Sequence, residues 1–179
     1  MKKLLVTIIL LTGINLSSFA QKGTNQINIG FDAGGVLNEY YQSQFPAGFG
    51  ASVKGLLGLD INSQFSVSGH YLYFPLNSNY TLPKGESISL HQIPVFIGYR
   101  VYRDSFFFEP QIGTALLINS SKNHLGKTSS NDFEFAFSAE IGYVFNQLEF
   151  SLRYQQSGGS PFQLAFLGAR VAYVLGGIN

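Results

Sequence analysis

From Phe133 to Phe145 the chain keeps an apolar side chain at every odd position. The odd set reads Phe133, Phe135, Phe137, Ala139, Ile141, Tyr143 and Phe145, against Glu134, Ala136, Ser138, Glu140, Gly142 and Val144 between them. A helix would scatter the odd set around its circumference. A strand turns all of it to one side, because successive side chains point to opposite faces. The period recurs in Leu148, Phe150, Leu152 and Tyr154 against Glu149, Ser151, Arg153 and Gln155. It also recurs in Ile27, Ile29 and Phe31, in Phe65, Val67, Tyr71 and Tyr73, in Ile93, Val95, Ile97 and Tyr99, and in Leu167, Ala169, Val171 and Tyr173. Period two with one apolar and one polar face predicts strands throughout.

Eight strands are expected, at 26–35, 48–60, 65–74, 88–101, 106–118, 132–145, 148–157 and 162–175. Most exceed the roughly 5–6 residues of an average globular strand and match the 9–11 needed to cross a bilayer at a tilt. The connections alternate long (36–47), short (61–64), long (75–87), short (102–105), long (119–131), short (146–147) and medium (158–161). Short turns at one end and longer loops at the other are the pattern of a transmembrane barrel. Charged residues are only 12% of the chain, about half the usual share for soluble domains. No apolar run after residue 20 exceeds Val171 to Leu175, so no helix there reaches the roughly 20 residues a bilayer requires. A closed barrel is the other structure that satisfies every backbone group within a membrane. The fold class expected is therefore all-β: an eight-stranded antiparallel up-and-down transmembrane β-barrel.

The N-terminus carries an export pattern. Lys2 and Lys3 precede the apolar stretch Leu4 to Ile14, and Ser18-Phe19-Ala20 offers small residues where a signal peptidase reads. A cleavable signal peptide at 1–20 is expected, followed by the barrel domain at 21–179. Lys and Arg number 11 against 10 Asp and Glu, a near balance that argues against nucleic acid as a partner. With no Cys, disulfides, thiolate metal sites and cysteine nucleophiles are excluded.

Three stretches resemble a known family. They are Leu90-His91-Gln92-Ile93-Pro94-Val95-Phe96-Ile97-Gly98-Tyr99-Arg100, Glu109-Pro110-Gln111-Ile112-Gly113, and Leu167-Gly168-Ala169-Arg170-Val171-Ala172-Tyr173. Over residues 25–175 the chain is similar to the small outer-membrane β-barrel domain proteins, OmpA-like and PorT-like barrels of the porin-family type. The resemblance implies residence in the outer membrane of a Gram-negative-type bacterium. Such barrels often end on an aromatic residue that guides assembly; this chain has Gly176-Gly177-Ile178-Asn179 there, with Tyr173 as the expected substitute.

With the N-terminus on the periplasmic side, Tyr99, Tyr143, Phe145 and Tyr173 fall near the inner interface, and Tyr71, Tyr73, Phe133 and Tyr154 near the outer one. Aromatic girdles are expected at both levels. Parity points Asp32, Lys54, Asp60, His70, Arg100, Glu109, Glu140, Glu149, Arg153 and Arg170 inward. Eight strands enclose a lumen that side chains can fill, and buried charges must pair. A network of Glu140, Arg153 and Arg170 is expected, with Glu109 as a further acceptor. The function expected is non-enzymatic: an envelope structural, adhesion or ligand-binding role through outer loops, with Tyr40, Tyr41 and Phe45 in the first. Outer-membrane lipid is the expected surround, an extracellular or envelope protein the expected ligand at loops 36–47, 75–87 and 119–131, and no cofactor or metal is called for. Two alternatives stand beside it. One is a narrow solute or ion channel. The other is lipid-modifying catalysis by Ser89 and His91, whose outward side chains are two apart, with Glu86 as the acidic group nearest them; a Ser–His pair activates a hydroxyl when a third group orients the imidazole.

Overall fold

The computed structural model describes residues 24–83, 86–124, 126–160 and 163–176. The expected signal peptide at 1–20 lies outside them. Strands β1 (Gln26–Val36), β2 (Ala47–Asp60), β3 (Ser63–Pro75), β4 (Ser87–Arg103), β5 (Phe106–Asn123), β6 (Gly126–Phe145), β7 (Leu148–Ser157) and β8 (Leu164–Leu175) pair in chain order. Antiparallel pairing of β1 with β8, through Ile27↔Leu175 and Asp32↔Arg170, closes the barrel.

Tight turns join strands at one end. Asp104 and Asn146 hold φ of 57° and 53° there, a left-handed conformation that Asp and Asn adopt more readily than other side chains. The opposite end carries the longer connections. One of them, between β1 and β2, contains the single helical turn α1 (Glu39–Gln42), whose first turn is capped by Asn38 accepting from the Tyr40 N–H at 2.9 Å.

Two expectations are corrected. The third long loop, 119–131, is largely strand. The β5–β6 ladder continues through Asn119↔Ser130, Ser120↔Ser129 and Ser121↔Thr128 to Asn123↔Gly126. Polar Ser, Thr and Asn read as loop by composition, yet each can pair in a ladder that projects into water. Asp60 does not point into the lumen. The β2–β3 register shifts between Gly58 and Asp60, and Asp60 is exposed at the rim, its Oδ1 accepting from the Ile61 N–H at 2.8 Å.

The barrel wall is sorted by parity. Outward positions in mid-strand carry no Asp, Glu, Lys or Arg. They are apolar and open, as with Ile29, Val53, Val67, Val95, Ile97, Ile112, Ile141, Leu152 and Val171, each 45–55% exposed. So much contiguous apolar surface has no stable place in water. It is suited to a bilayer, where a closed barrel leaves no backbone edge unpaired.

Candidate functional site

Polar side chains of every strand converge in the lumen. Lys54, Arg100, Arg153 and Arg170 are buried there with Asp32, Glu109, Glu140 and Glu149, four cations against four anions, each at most 1% exposed. Charges removed from water are very costly unless paired and hydrogen-bonded; all eight are paired, and among their polar atoms only Asp32 Oδ2, Arg153 Nε and Nη2 and Arg170 Nη2 lack a hydrogen bond. Lys54 Nζ lies 2.7 Å from Glu140 and 3.0 Å from Glu109. Arg100 bridges Glu109 and Glu149, at 2.6 Å each, and its guanidinium carbon sits 3.7 Å above the Phe107 ring. Arg170 reaches Glu149 at 2.5 Å and Glu140 at 3.5 Å. Neutral donors complete the carboxylates: Ser151 gives its hydroxyl to Glu140 at 2.6 Å, Gln111 its amide to Glu109 at 2.6 Å, and Asn28 its amide to Glu149 at 2.8 Å.

The expected quartet of Glu109, Glu140, Arg153 and Arg170 thus shares one chamber, but its pairing differs. Arg153 and Glu140 are direct ladder partners, yet Arg153 turns to Asp32 at 3.1 Å and to His70, whose Nδ1 lies 2.6 Å from Nη1. Lys54, Arg100 and Glu149 are the hubs instead. Inward parity made them visible; the pairs of Lys54 with Glu109 and Glu140, and of Arg100 with Glu149, join strands that are not neighbours, which parity alone does not relate.

Above the ions the lumen changes character. Gln155 donates to Gln92 at 3.0 Å and Gln92 to Ser157 at 2.7 Å. Beyond them Val36, Phe45, Leu72, Phe74, Leu90, Leu117, Leu164 and Phe166 form an apolar cap inside the loop end. Phe74 and Phe166 meet edge to face with centroids 5.7 Å apart. Here Phe45 corrects its expected role as a contact residue: it is 4% exposed and fills the barrel mouth. Tyr41 packs against the same cap, while Tyr40 stays 54% exposed. Burial, and then Tyr40, Asp132 and Glu134 nearby, pushes the Tyr41 phenol above its ordinary pKa.

On the outer wall the aromatics lie at two levels. At the loop end Phe49 stacks edge-on to Tyr73 at 5.6 Å, and His91 lies 5.2 Å from Tyr73 and 5.8 Å from Tyr71. Tyr154 sits by Phe137 at 6.2 Å. At the turn end Phe106 meets Tyr143 at 4.8 Å, Tyr99 pairs with Phe65 across β3–β4, and the Tyr173 hydroxyl donates to Gln147. Ser89 and His91 do face outward together, Ser89 Oγ lying 3.1 Å from Nε2. The Tyr71 hydroxyl occupies Nδ1 at 2.8 Å. Glu86 is not placed as the orienting acid; it pairs with His124 at 3.1 Å. No group of three or more His, Cys, Asp or Glu fit for a metal occurs among the described residues.

No family model and no curated protein sequence matches the chain. Solved structures do. Ail, the attachment invasion locus protein of Yersinia pestis, solved with the heparin analogue sucrose octasulfate, superposes with a TM-score of 0.67 at 11% identity, covering 87% of this chain and 100% of Ail. The N-terminal β-barrel domain of Pseudomonas aeruginosa OprF gives 0.57 at 11% identity, over 86% and 99%. Neisserial surface protein A gives 0.52 at 12% identity, over 86% and 97%. At such identities the likeness is one of fold, and it agrees with the apolar exterior and the closed eight-stranded antiparallel topology. The chain is an eight-stranded closed antiparallel β-barrel with the fold of these small outer-membrane barrels.

Proposed function

We propose that this protein is exported on a cleaved signal at residues 1–20 and serves the bacterial outer membrane as a plugged barrel. In this reading lipid surrounds its wall, and its outer end carries a structural, adhesive or ligand-binding role. The observation that supports the reading is the arrangement inside the barrel, a balanced ion network lying beneath an apolar cap. A filled lumen removes the pore as a working surface and leaves the outer end, where connections on a rigid scaffold commonly carry recognition. In planar bilayers the wild type is expected to stay at baseline conductance; steady channel events overturn the plug. Cells displaying the barrel are expected to adhere to immobilised extracellular or envelope proteins, and to lose adhesion when residues 119–130 are replaced by a tight turn. Equal adhesion of the trimmed form overturns the recognition role.

The sucrose octasulfate bound by Ail does not suit this chain. Sequence segments 36–47, 75–87 and 119–134 hold Glu39, Glu86, Asp132 and Glu134 against Lys84, Lys122 and Lys127, a balance with no excess of positive charge for a polysulfate. The Ser89–His91 hydrogen bond favours a second reading, lipid-modifying catalysis. It is the weaker one, because a phenol on Nδ1 does not stabilise an imidazolium as a carboxylate does. Envelope lipid profiles of wild type and Ser89→Ala are expected to be identical; loss of a lipid species in the variant would reverse the order of the two.

A further inference from the structure

β7 ends before its neighbour does. The β6–β7 ladder stops at Ala136↔Ser157, while the β5–β6 ladder runs on to Asn123↔Gly126. The upper part of β6, residues 126–134, therefore has a strand on one side only among the described residues. It belongs to a one-sided wall with β4, which follows β5 as far as Ser87↔Lys122. The direction of its backbone groups is set by two hydrogen bonds. Phe135 O accepts from the Gly158 N–H at 2.9 Å on the β7 side, and the Val144 N–H donates to Ser105 O at 2.9 Å on the β5 side. In an antiparallel ladder the N–H and C=O of one residue point the same way and alternate along the strand. Ser129, Asn131 and Phe133 thus direct theirs to the open edge. Such an edge is a template for another strand.

The side chains along it state what that strand should carry. Phe133 and Phe135 face outward, 79% and 61% exposed. Asp132 and Glu134 lie on the opposite face, over the barrel mouth, and no ion pair holds either among the described residues. We propose that the edge of β6 over residues 128–134 binds an extended peptide segment that alternates basic and apolar residues. The segment adds as a strand where β7 has ended, its basic side chains against Asp132 and Glu134 and its apolar ones against Phe133 and Phe135. Opposite-charge and aromatic cross-strand pairs are the units that stabilise such an addition. A second copy of the chain fits less well. Two barrels related by an axis along the membrane normal bring their β6 edges together in the same direction, with Asp132 and Glu134 beside their own images.

This inference rests on the recognition role proposed for the outer end, and the experiment separates the two. A fluorescein-labelled, acetylated peptide of alternating lysine and valine is titrated with the full-length barrel in neutral detergent, followed by anisotropy. An alternating glutamate–valine peptide and a lysine–valine peptide with a central proline are the controls. Binding is expected for the first alone. Asn131→Pro removes one edge-directed N–H and leaves the β5 ladder untouched, since proline is tolerated on strand edges. It is expected to weaken binding at least about tenfold with unchanged thermal unfolding. The pair Asp132→Lys and Glu134→Lys should transfer preference to the glutamate peptide. Equal binding of the proline-interrupted peptide, or of the Asn131→Pro barrel, overturns edge pairing. A dimer in sedimentation that Asn131→Pro dissolves, with no peptide bound, overturns it in favour of self-association. If no peptide binds while the hairpin-trimmed barrel still loses adhesion, this inference falls and the recognition role stands.

Discussion

Arg153 on β7 places its Nη2 3.1 Å from the Asp32 carboxylate on β1, reaching over β8 to do so. Its own ladder partner, Glu140, is held by Lys54 and Ser151 instead. The distinction is measurable. Asp32→Ala and Arg153→Ala should each destabilise the barrel by about 3–5 kcal/mol, since each strands a buried charge. The double variant should lose less than the sum, and a cycle between Glu140 and Arg153 should show the smaller coupling. Thermal unfolding in detergent provides the readout; a larger Glu140–Arg153 coupling contradicts the pairing described.

The same ions should be indifferent to salt. Screening acts on exposed charges and much less on buried ones. Raising sodium chloride from about 0.05 M to about 1 M is expected to leave the unfolding temperature nearly unchanged, although the Debye length shrinks severalfold across that range. A steep fall would mean that the network is open to solvent.

Small residues make room for large ones inside the wall. A Cβ on Gly142 would lie 2.4 Å from the Phe107 ring, and one on Gly48 2.4 Å from that of Phe74. Gly142→Ala should therefore cost about 1–3 kcal/mol as overpacking. Gly48→Ala should cost a similar amount, and because the three nearest atoms there all belong to the Phe74 ring, combining it with Phe74→Leu should recover part of the loss. Additive damage in the double variant would place the cause elsewhere.

The outer wall should report depth. Val95 lies midway along β4 between Tyr99 and His91 and is 49% exposed. Val95→Arg is expected to cost about 2–4 kcal/mol in lipid vesicles, whereas Tyr99→Arg at the interface should cost about 0–1 kcal/mol. Equal costs at the two positions would show that the girdle level is misplaced.

Parity was legible in the sequence because the strand period is two and a closed barrel has only an inside and an outside. That is why Glu109, Glu140, Arg153 and Arg170 could be assigned to one lumen, and Tyr71, Tyr73, Tyr99, Tyr143, Tyr154 and Tyr173 to the wall, from the order of residues alone. Asp60 escaped because a register shift at Gly58 breaks the period locally, and nothing in the composition marks it.

What only the tertiary structure decided is which inward side chains meet. Closure forces the strands to tilt and stagger, so the partner of Arg153 comes from β1 and that of Lys54 from β5 and β6. The ends of strands were decided the same way. Ser129 and Asn131 form ladder or loop with equal ease by themselves, and it is the β5 backbone beside them that makes them strand. Phe45 is in a polar stretch of sequence but inside the barrel mouth, because the apolar cap beneath it is assembled from β1, β3, β4, β5 and β8. Local chemistry sets the face a side chain takes; long-range closure sets its neighbours, since those lie on segments far apart in the chain.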